Sequence, residues 1–230
     1  VSTHDDEQLE NLKRFWQDYG TPILVGASMA LAVFVGWRYW QNDKVQTSLQ
    51  ASTLYESSYE AYQKLNTNPE DKAANTQLQR DAQKLSQEFG STVYANNASL
   101  LLAKRAIENK DLKEAEKQLR NVLTQSTDDG LKSIASFRLA QVLLEKGDNK
   151  AALDVLSKET SVAFLPSREE LRGDILKLNG DTAGAIKAYQ AAYDALKARN
   201  EPRPILEVKM ADLGLDVPEL KTESLLNINP

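Results

Sequence analysis

Carboxylates are the only abundant side chains in this sequence that could carry catalysis. Pairs such as Glu114 with Glu116, or Glu169 with Glu170, are the candidates for general acid–base work. Their spacing argues against it: residues one or two apart on a helix point to different faces, so neither pair converges on one substrate. Nucleophilic and metal chemistry have less still to draw on. The chain has no cysteine and one histidine, His4, so thiolate catalysis, disulfides, Cys/His zinc sites and His-dependent triads are excluded or nearly so. No Walker loop, Gly-x-Ser-x-Gly elbow or His-Glu-x-x-His pattern occurs. The sequence therefore assigns no catalytic, cofactor-binding or metal-ligating residue and requires no cofactor. The reading is not an enzyme, and the residues of interest are those that could bind.

The charge balance narrows what they bind. Lys and Arg total 28 against 33 Asp and Glu, a net charge of -5, with no run of five or six like charges. Nucleic acid needs a concentrated basic face, so no nucleic-acid partner is expected. The 230 residues, 41% of them hydrophobic, suffice for one ordinary domain plus an anchor, or for two small domains.

The anchor reading rests on the nineteen residues from Tyr19 to Trp37, none of which is charged. At about 1.5 Å per residue such a helix is roughly 28 Å long, close to the ~30 Å hydrocarbon core of a bilayer. Ile23, Leu24, Val25, Leu31, Val33, Phe34 and Val35 together favour insertion by about 2 to 4 kcal/mol. Aromatic residues mark both ends: Phe15, Trp16 and Tyr19 before, Trp37, Tyr39 and Trp40 after. A cleaved signal peptide would be shorter and end in small residues, and a buried core helix would rarely be charge-free with aromatic ends. The domain plan is thus a short segment at 1–18 and a transmembrane helix at 19–40. Thr21 with Pro22 reads as an N-cap with proline at the first helical position. Leu9, Leu12, Phe15, Trp16 and Tyr19 predict a separate, brief interfacial helix before it, with Thr3 and Asp6 as a capping pair. Ser28, Ala32 and Gly36 share one face of the span at four-residue intervals, as do Gly26 and Ala30, and such small residues let another membrane helix approach closely. The same surface serves self-association and hetero-association, so a homo-oligomer stays open. Lys13 and Arg14 precede the span and Arg38 and Lys44 follow it, so charge counting leaves its orientation open too.

Residues 41–213 read as helix pairs in series. A first amphipathic stretch covers Val45 to Leu65, with Leu54, Tyr55, Tyr59 and Tyr62 on related turns; Asn66 to Glu70 breaks it, and a second helix runs to Phe89 before Gly90. Aligning Asp111, Asp148 and Asp181, which lie 37 and 33 residues apart, brings out an internal repeat. Ala103, Ala140 and Gly173 lie eight before the aspartate, Ala115, Ala152 and Ala185 four after it, and Leu119, Leu156 and Tyr189 eight after it. Arg172 alone stands in a usually apolar column. The period brackets that of tetratricopeptide repeats, in which small residues let the two helices of a hairpin approach and a larger one fills the gap to the next hairpin. The fold class is all-α: one N-terminal transmembrane helix, then a tetratricopeptide-like helical-hairpin solenoid. In that register the first helix of each pair faces a concave groove and presents Leu100, Lys104 and Ile107, then Phe137, Gln141 and Leu144, as the candidate peptide or partner site. Pro202 and Pro204 interrupt the pattern, Leu206 to Leu213 predicts one more short helix that caps the solenoid, and 214–230 is read as a tail.

The segment Lys13-Arg14-Phe15-Trp16, the span ending Gly36-Trp37-Arg38-Tyr39-Trp40, and Leu171-Arg172-Gly173-Asp174 followed by Asn179-Gly180-Asp181 resemble the YfgM family over roughly Leu9 to Leu213. Those are single-span, tetratricopeptide-like proteins of the Gram-negative inner membrane, ancillary to the SecYEG translocon. The resemblance implies a cytoplasmic N-terminus, a periplasmic helical domain, and association with SecYEG and the membrane-anchored periplasmic chaperone PpiD. It carries no catalytic residues. The resulting expectation is a non-enzymatic, membrane-anchored scaffold of chaperone-like character at the periplasmic exit of the Sec translocon, near emerging clients. The alternative is a tethered adaptor in envelope assembly or stress signalling, holding a regulator through Asp5, Asp6, Glu7 and Glu10 of its short end.

Overall fold

The structure, a computed structural model, describes residues 3–215, with side chains from 13 onward. Every regular element among them is an α-helix: α1 (Thr3–Thr67), α2 (Lys72–Glu88), α3 (Val93–Glu108), α4 (Leu112–Gln125), α5 (Asp129–Glu145), α6 (Asn149–Lys158), α7 (Leu165–Leu178), α8 (Thr182–Ala198) and α9 (Pro204–Ala211). The chain divides into two compact units, Val1–Gln50 and Ala51–Pro230.

In the first unit α1 does not begin at Pro22. It runs through that proline, so Thr21 is not a helix cap and no separate interfacial helix precedes the span. Pro22 has no N–H to give the carbonyl four residues earlier, which costs one backbone bond. A break there would strand four N–H and four C=O groups, a far larger penalty in an apolar medium. The Trp16 ring also folds back over Gly20, where a Cβ would stand 2.8 Å from Cε3. The Thr3–Asp6 capping pair falls outside the residues whose side chains are described. From Ile23 to Trp40 the large apolar side chains of α1 face outward, Val33 at 69% exposure among them. By length and composition this stretch is able to cross a membrane.

The second unit opens with the last turns of α1. They pair with α2, whose N-cap Asp71 accepts the Ala74 N–H at 3.0 Å. Leu65, Ala74 and Leu78 are buried in that seam, and Ala51, Leu85 and Phe89 meet Ala95 and Ala98 of α3 in the next.

Three hairpins follow, α3–α4, α5–α6 and α7–α8, joined internally by one repeated turn. Lys110, Gly147 and Gly180 have left-handed backbone, with φ of 59, 80 and 81°. Each closes its helix with the bond pair of a Schellman turn: the Lys110 N–H donates to Ile107 O, and the N–H of the following Asp111 to Ala106 O. Gly147 with Asp148 and Gly180 with Asp181 repeat both bonds. The same aspartate then opens the next helix, its Oδ1 accepting the N–H of Glu114, Ala151 or Gly184 at 3.0, 3.0 and 2.8 Å. The chain thus reverses in three residues, and the hairpins are antiparallel.

That turn fixes the register of the repeat columns. Ala103, Ala140 and Gly173 are buried, as are Ala115, Ala152, Ala185, Leu119, Leu156 and Tyr189. The third copy is the variant. A Cβ on Gly173 would lie 2.4 Å from the Tyr189 ring, so glycine here is the counterpart of an aromatic where the other copies set alanine against leucine. Arg172 escapes its apolar column by pointing outward, where its guanidinium meets Glu169 at 3.1 Å. The α6–α7 connection has no such turn. Buried Glu159 organises it, accepting from Ser133 Oγ at 2.9 Å and the Ser161 N–H at 2.8 Å.

The last short helix starts at Pro204 rather than Leu206, because proline suits a first helical turn where its missing N–H has no partner to lose. Its buried Leu206 and Met210 pack on Tyr189, Tyr193 and Leu196 of α8. Gly214 then adopts φ 79°. Of the tail read at 214–230, residues 216–230 lie outside the described residues.

Two stability measurements follow from the turns and columns. Lys110 bears a left-handed backbone that costs an L-residue roughly 1–2 kcal/mol, so Lys110→Gly raises the urea midpoint and Gly147→Ala lowers it by a comparable amount. Gly173→Ala overpacks Tyr189 and destabilises by about 1–3 kcal/mol. In a Tyr189→Leu background the same alanine costs far less; simple additivity in that cycle would mean the two residues do not share the space.

Candidate interaction groove

The first helices of the hairpins present a mixed surface built from α1, α3 and α5. At its start tyrosines gather. Tyr55 and Tyr59, one turn apart on α1, stack with ring centroids 6.2 Å apart, and Tyr94 of α3 lies 6.0 Å from Tyr55. Tyr62, one turn further along α1, is buried and donates its hydroxyl to Glu108 Oε1 at 3.1 Å. Lys104 Nζ stands 5.1 Å from the Tyr62 ring centroid, within cation–π range. Tyr62, the larger influence, and Glu108 hold the Lys104 ammonium charged to higher pH than usual, against the nearby charge of Arg138. The surface therefore carries aromatic area and two cations.

The six residues expected in the groove divide by depth. Lys104 and Gln141 are exposed, while Ile107, Phe137 and Leu144 are half-buried against the core cluster of α3 to α6. Leu100 is part of that core, 9% exposed, and supports the surface from beneath. Sequence reasoning missed the tyrosine ledge and Arg138. The spacing of Tyr55, Tyr59 and Tyr62 was visible, but nothing local links them to Tyr94, which arrives through the fold. Along the span, Ser28, Ala32 and Gly36 are exposed on one line of α1, and a Cβ on Gly36 would meet nothing within 4 Å. A neighbouring line, Gly26, Met29, Ala30, Val33, Phe34 and Trp37, forms a shallow apolar depression of about 530 Å³.

The carboxylates are consumed by ion pairs. Glu114 binds Lys117 at 3.2 Å, and Glu116 binds Arg120 at 2.8 Å as well as Lys146. Buried Glu169 meets Arg168 at 3.0 Å and Arg172. Its neighbour turns towards the end of the unit, where Glu170 takes Arg203 at 2.9 Å and Lys209 at 2.7 Å; Lys209 also reaches Asp174 at 2.8 Å, and Asp174 accepts the Tyr189 hydroxyl at 2.8 Å. This network locks α9 onto α7. Burial pushes the Glu170 carboxyl up, but the hydrogen bonds from Lys209 and Arg203 outweigh it and hold the group below its ordinary value. Burial and Asp174 push the Tyr189 phenol upward, so it stays a donor. Among the described residues no group of three or more His, Cys, Asp or Glu is arranged to hold a metal ion.

Comparison with known proteins agrees with this architecture. Residues 13–215 match the family model described as a tetratricopeptide repeat-like domain. Curated relatives from several bacteria carry the name ancillary SecYEG translocon subunit. The protein from Aggregatibacter actinomycetemcomitans is 32% identical over 210 residues, covering 91% of this chain and 97% of the relative. That from Haemophilus influenzae is 30% identical over 194 residues, covering 84% and 91%, and that from Escherichia coli K12 is 28% identical over 217 residues, covering 94% and 99%.

The α9 lock has a pH signature. Because the folded Glu170 pKa is depressed, its contribution to stability is present above the ordinary carboxylate value of 4.5 and is lost as pH falls through the folded value. Thermal unfolding from pH 7 down to 3 should show a smaller pH dependence in Glu170→Gln than in the parent. Equal slopes would remove Glu170 from the account.

Proposed function

The chain belongs to the tetratricopeptide repeat-like family of the ancillary SecYEG translocon subunits, and from that premise we propose that it is a non-enzymatic, membrane-anchored scaffold of the Sec translocon. The observation that carries this reading is the extent of the likeness: the alignment takes in 97% of the Aggregatibacter protein, and the matched residues 13–215 include both the apolar stretch of α1 and every hairpin. A protein of this kind acts by holding others together, and the relatives are named as subunits rather than as enzymes.

In this proposal residues 19–40 cross the inner membrane once, residues 1–18 remain in the cytoplasm, and 41–213 stand in the periplasm with 214–230 as a tail. The line of Ser28, Ala32 and Gly36 receives a membrane helix of the translocon or of a second copy. The groove of Lys104, Gln141, Ile107, Phe137 and Leu144, supported by Leu100, receives a periplasmic chaperone, PpiD. Tyrosines 55, 59 and 94 add rigid, amphipathic contact area of the sort that dominates binding energy at interfaces. Tethering raises the effective concentration of the groove at the exit site, so modest affinity suffices there.

Crosslinking in intact membranes tests both halves. A photo-reactive residue at Gln141 should capture the chaperone, and Lys104→Glu with Phe137→Ala should abolish that capture while co-purification with SecYEG persists through the span. Loss of SecYEG alone on converting Ser28, Ala32 and Gly36 to leucine would locate the second contact. Recovery of neither partner by the parent would overturn the proposal.

A further inference from the structure

A second surface lies on the other helices of the hairpins. Between α2 and α4, over α3, a cleft of about 1030 Å³ opens, distinct from the groove of α1, α3 and α5. One wall is a column of side-chain amides, Asn75, Gln79, Gln83 and Gln87, each four residues after the last. None of the four makes a side-chain hydrogen bond within the described protein, and the three glutamines are exposed. The facing wall supplies Gln118 and Asn121. Their amide nitrogens are engaged, Gln118 with Glu114 at 2.7 Å and Asn121 with Ser86 and Ser99 at 3.1 and 3.2 Å, which leaves their carbonyl oxygens as acceptors.

The spacing of that column has a consequence for what fits. Four residues of helix rise about 6 Å. Two residues of extended chain rise about 6.6 Å, and a peptide strand offers an outward N–H and C=O to each side with that same two-residue period. A side-chain amide carries both a donor and an acceptor, so each rung can take the N–H and the C=O of one residue in every two. The floor, Ala82, Leu102 and Ala106, is apolar and receives the alternate side chains.

Charge points the same way. Each charged side chain around the cleft has a partner: Arg105 meets Glu108 at 3.6 Å and donates to Pro69 O at 2.7 Å, its buried Nε alone left without one, Lys117 meets Glu114 at 3.2 Å, Arg120 meets Glu116 at 2.8 Å, and Asp111 caps α4. Nothing there selects a charged ligand. We propose that the α2–α4 cleft binds an extended, uncharged stretch of polypeptide through its main chain, with little regard to side-chain sequence. This is the recognition an unfolded chain calls for, and it leaves the other face free.

The test uses the full chain in lipid nanodiscs and a fluorescently labelled, uncharged Thr/Val/Ser peptide, read by anisotropy. Gln79→Ala with Gln83→Ala should weaken binding at least on the order of 30-fold, because each lost rung removes both a donor and an acceptor. Alanine at these exposed helical positions preserves the fold, checked by an unchanged circular dichroism spectrum. N-methylation of alternate residues of the peptide should weaken binding similarly, and a photo-reactive residue at Gln87 should crosslink to it. Lys104→Glu, in the other groove, should leave it intact. Parent-like affinity in the glutamine variant, indifference to N-methylation, an equal loss in Lys104→Glu, or no binding by the parent would each overturn the proposal.

Discussion

Everything in the helical unit depends on how tightly the chain can reverse. In each of the three internal hairpins a left-handed residue ends one helix and the aspartate after it begins the next, so that one residue closes a Schellman turn through its N–H and caps a helix through its carboxylate. A three-residue connection held this way leaves little freedom in the phase of the second helix relative to the first. The alanine four residues after the aspartate and the large residue four further on must then face the small residue eight before it. The core follows from that geometry, since only side chains whose volumes complement each other across the seam can fill it. The third copy shows the constraint acting on volume rather than identity, for tyrosine is accommodated once the facing residue has lost its Cβ.

This is also why the hairpins were legible in the sequence. Turn residues, caps and column residues lie within sixteen positions of one another, and their physics is local. Pro22 misled because the same locality argument was applied where it does not hold. A proline after a threonine is a good helix start in water, where the freed backbone groups find solvent. In an apolar stretch they have none, and continuing the helix with one bond missing is the lower-energy course. The offset at α9 is milder, a matter of which residue of the first turn proline occupies.

The candidate groove was legible only in part. Helical register names the residues that share a face, and Lys104 and Gln141 are exposed as that register requires. Depth is another matter. Leu100 stands in the same register position relative to its turn as Phe137, yet it is buried while Phe137 is half-exposed, because exposure depends on which neighbours the adjacent hairpins bring. The meeting of Tyr94 with Tyr55 spans 39 positions and the packing of three helices, and no spacing rule reaches across them. The carboxylate pairs illustrate the reverse case. Helical geometry alone separated Glu169 from Glu170, and the fold sends one to the arginines of its own helix and the other to α9.

A net charge of -5 spread over a surface of internal ion pairs gives this protein no strong field with which to steer a partner. Recognition must then come from shape, aromatic area and unsatisfied hydrogen-bonding groups, all of which act at contact distance. Such contacts are slow to find from bulk solution, and in the proposed role a membrane tether would remove that difficulty by keeping the surface near its partners. The two faces of the hairpins divide the remaining chemistry. One offers stacked tyrosines and a lysine, suited to a folded partner with its own shape. The other offers free amides at the period of an extended chain, suited to a partner that has not yet acquired one.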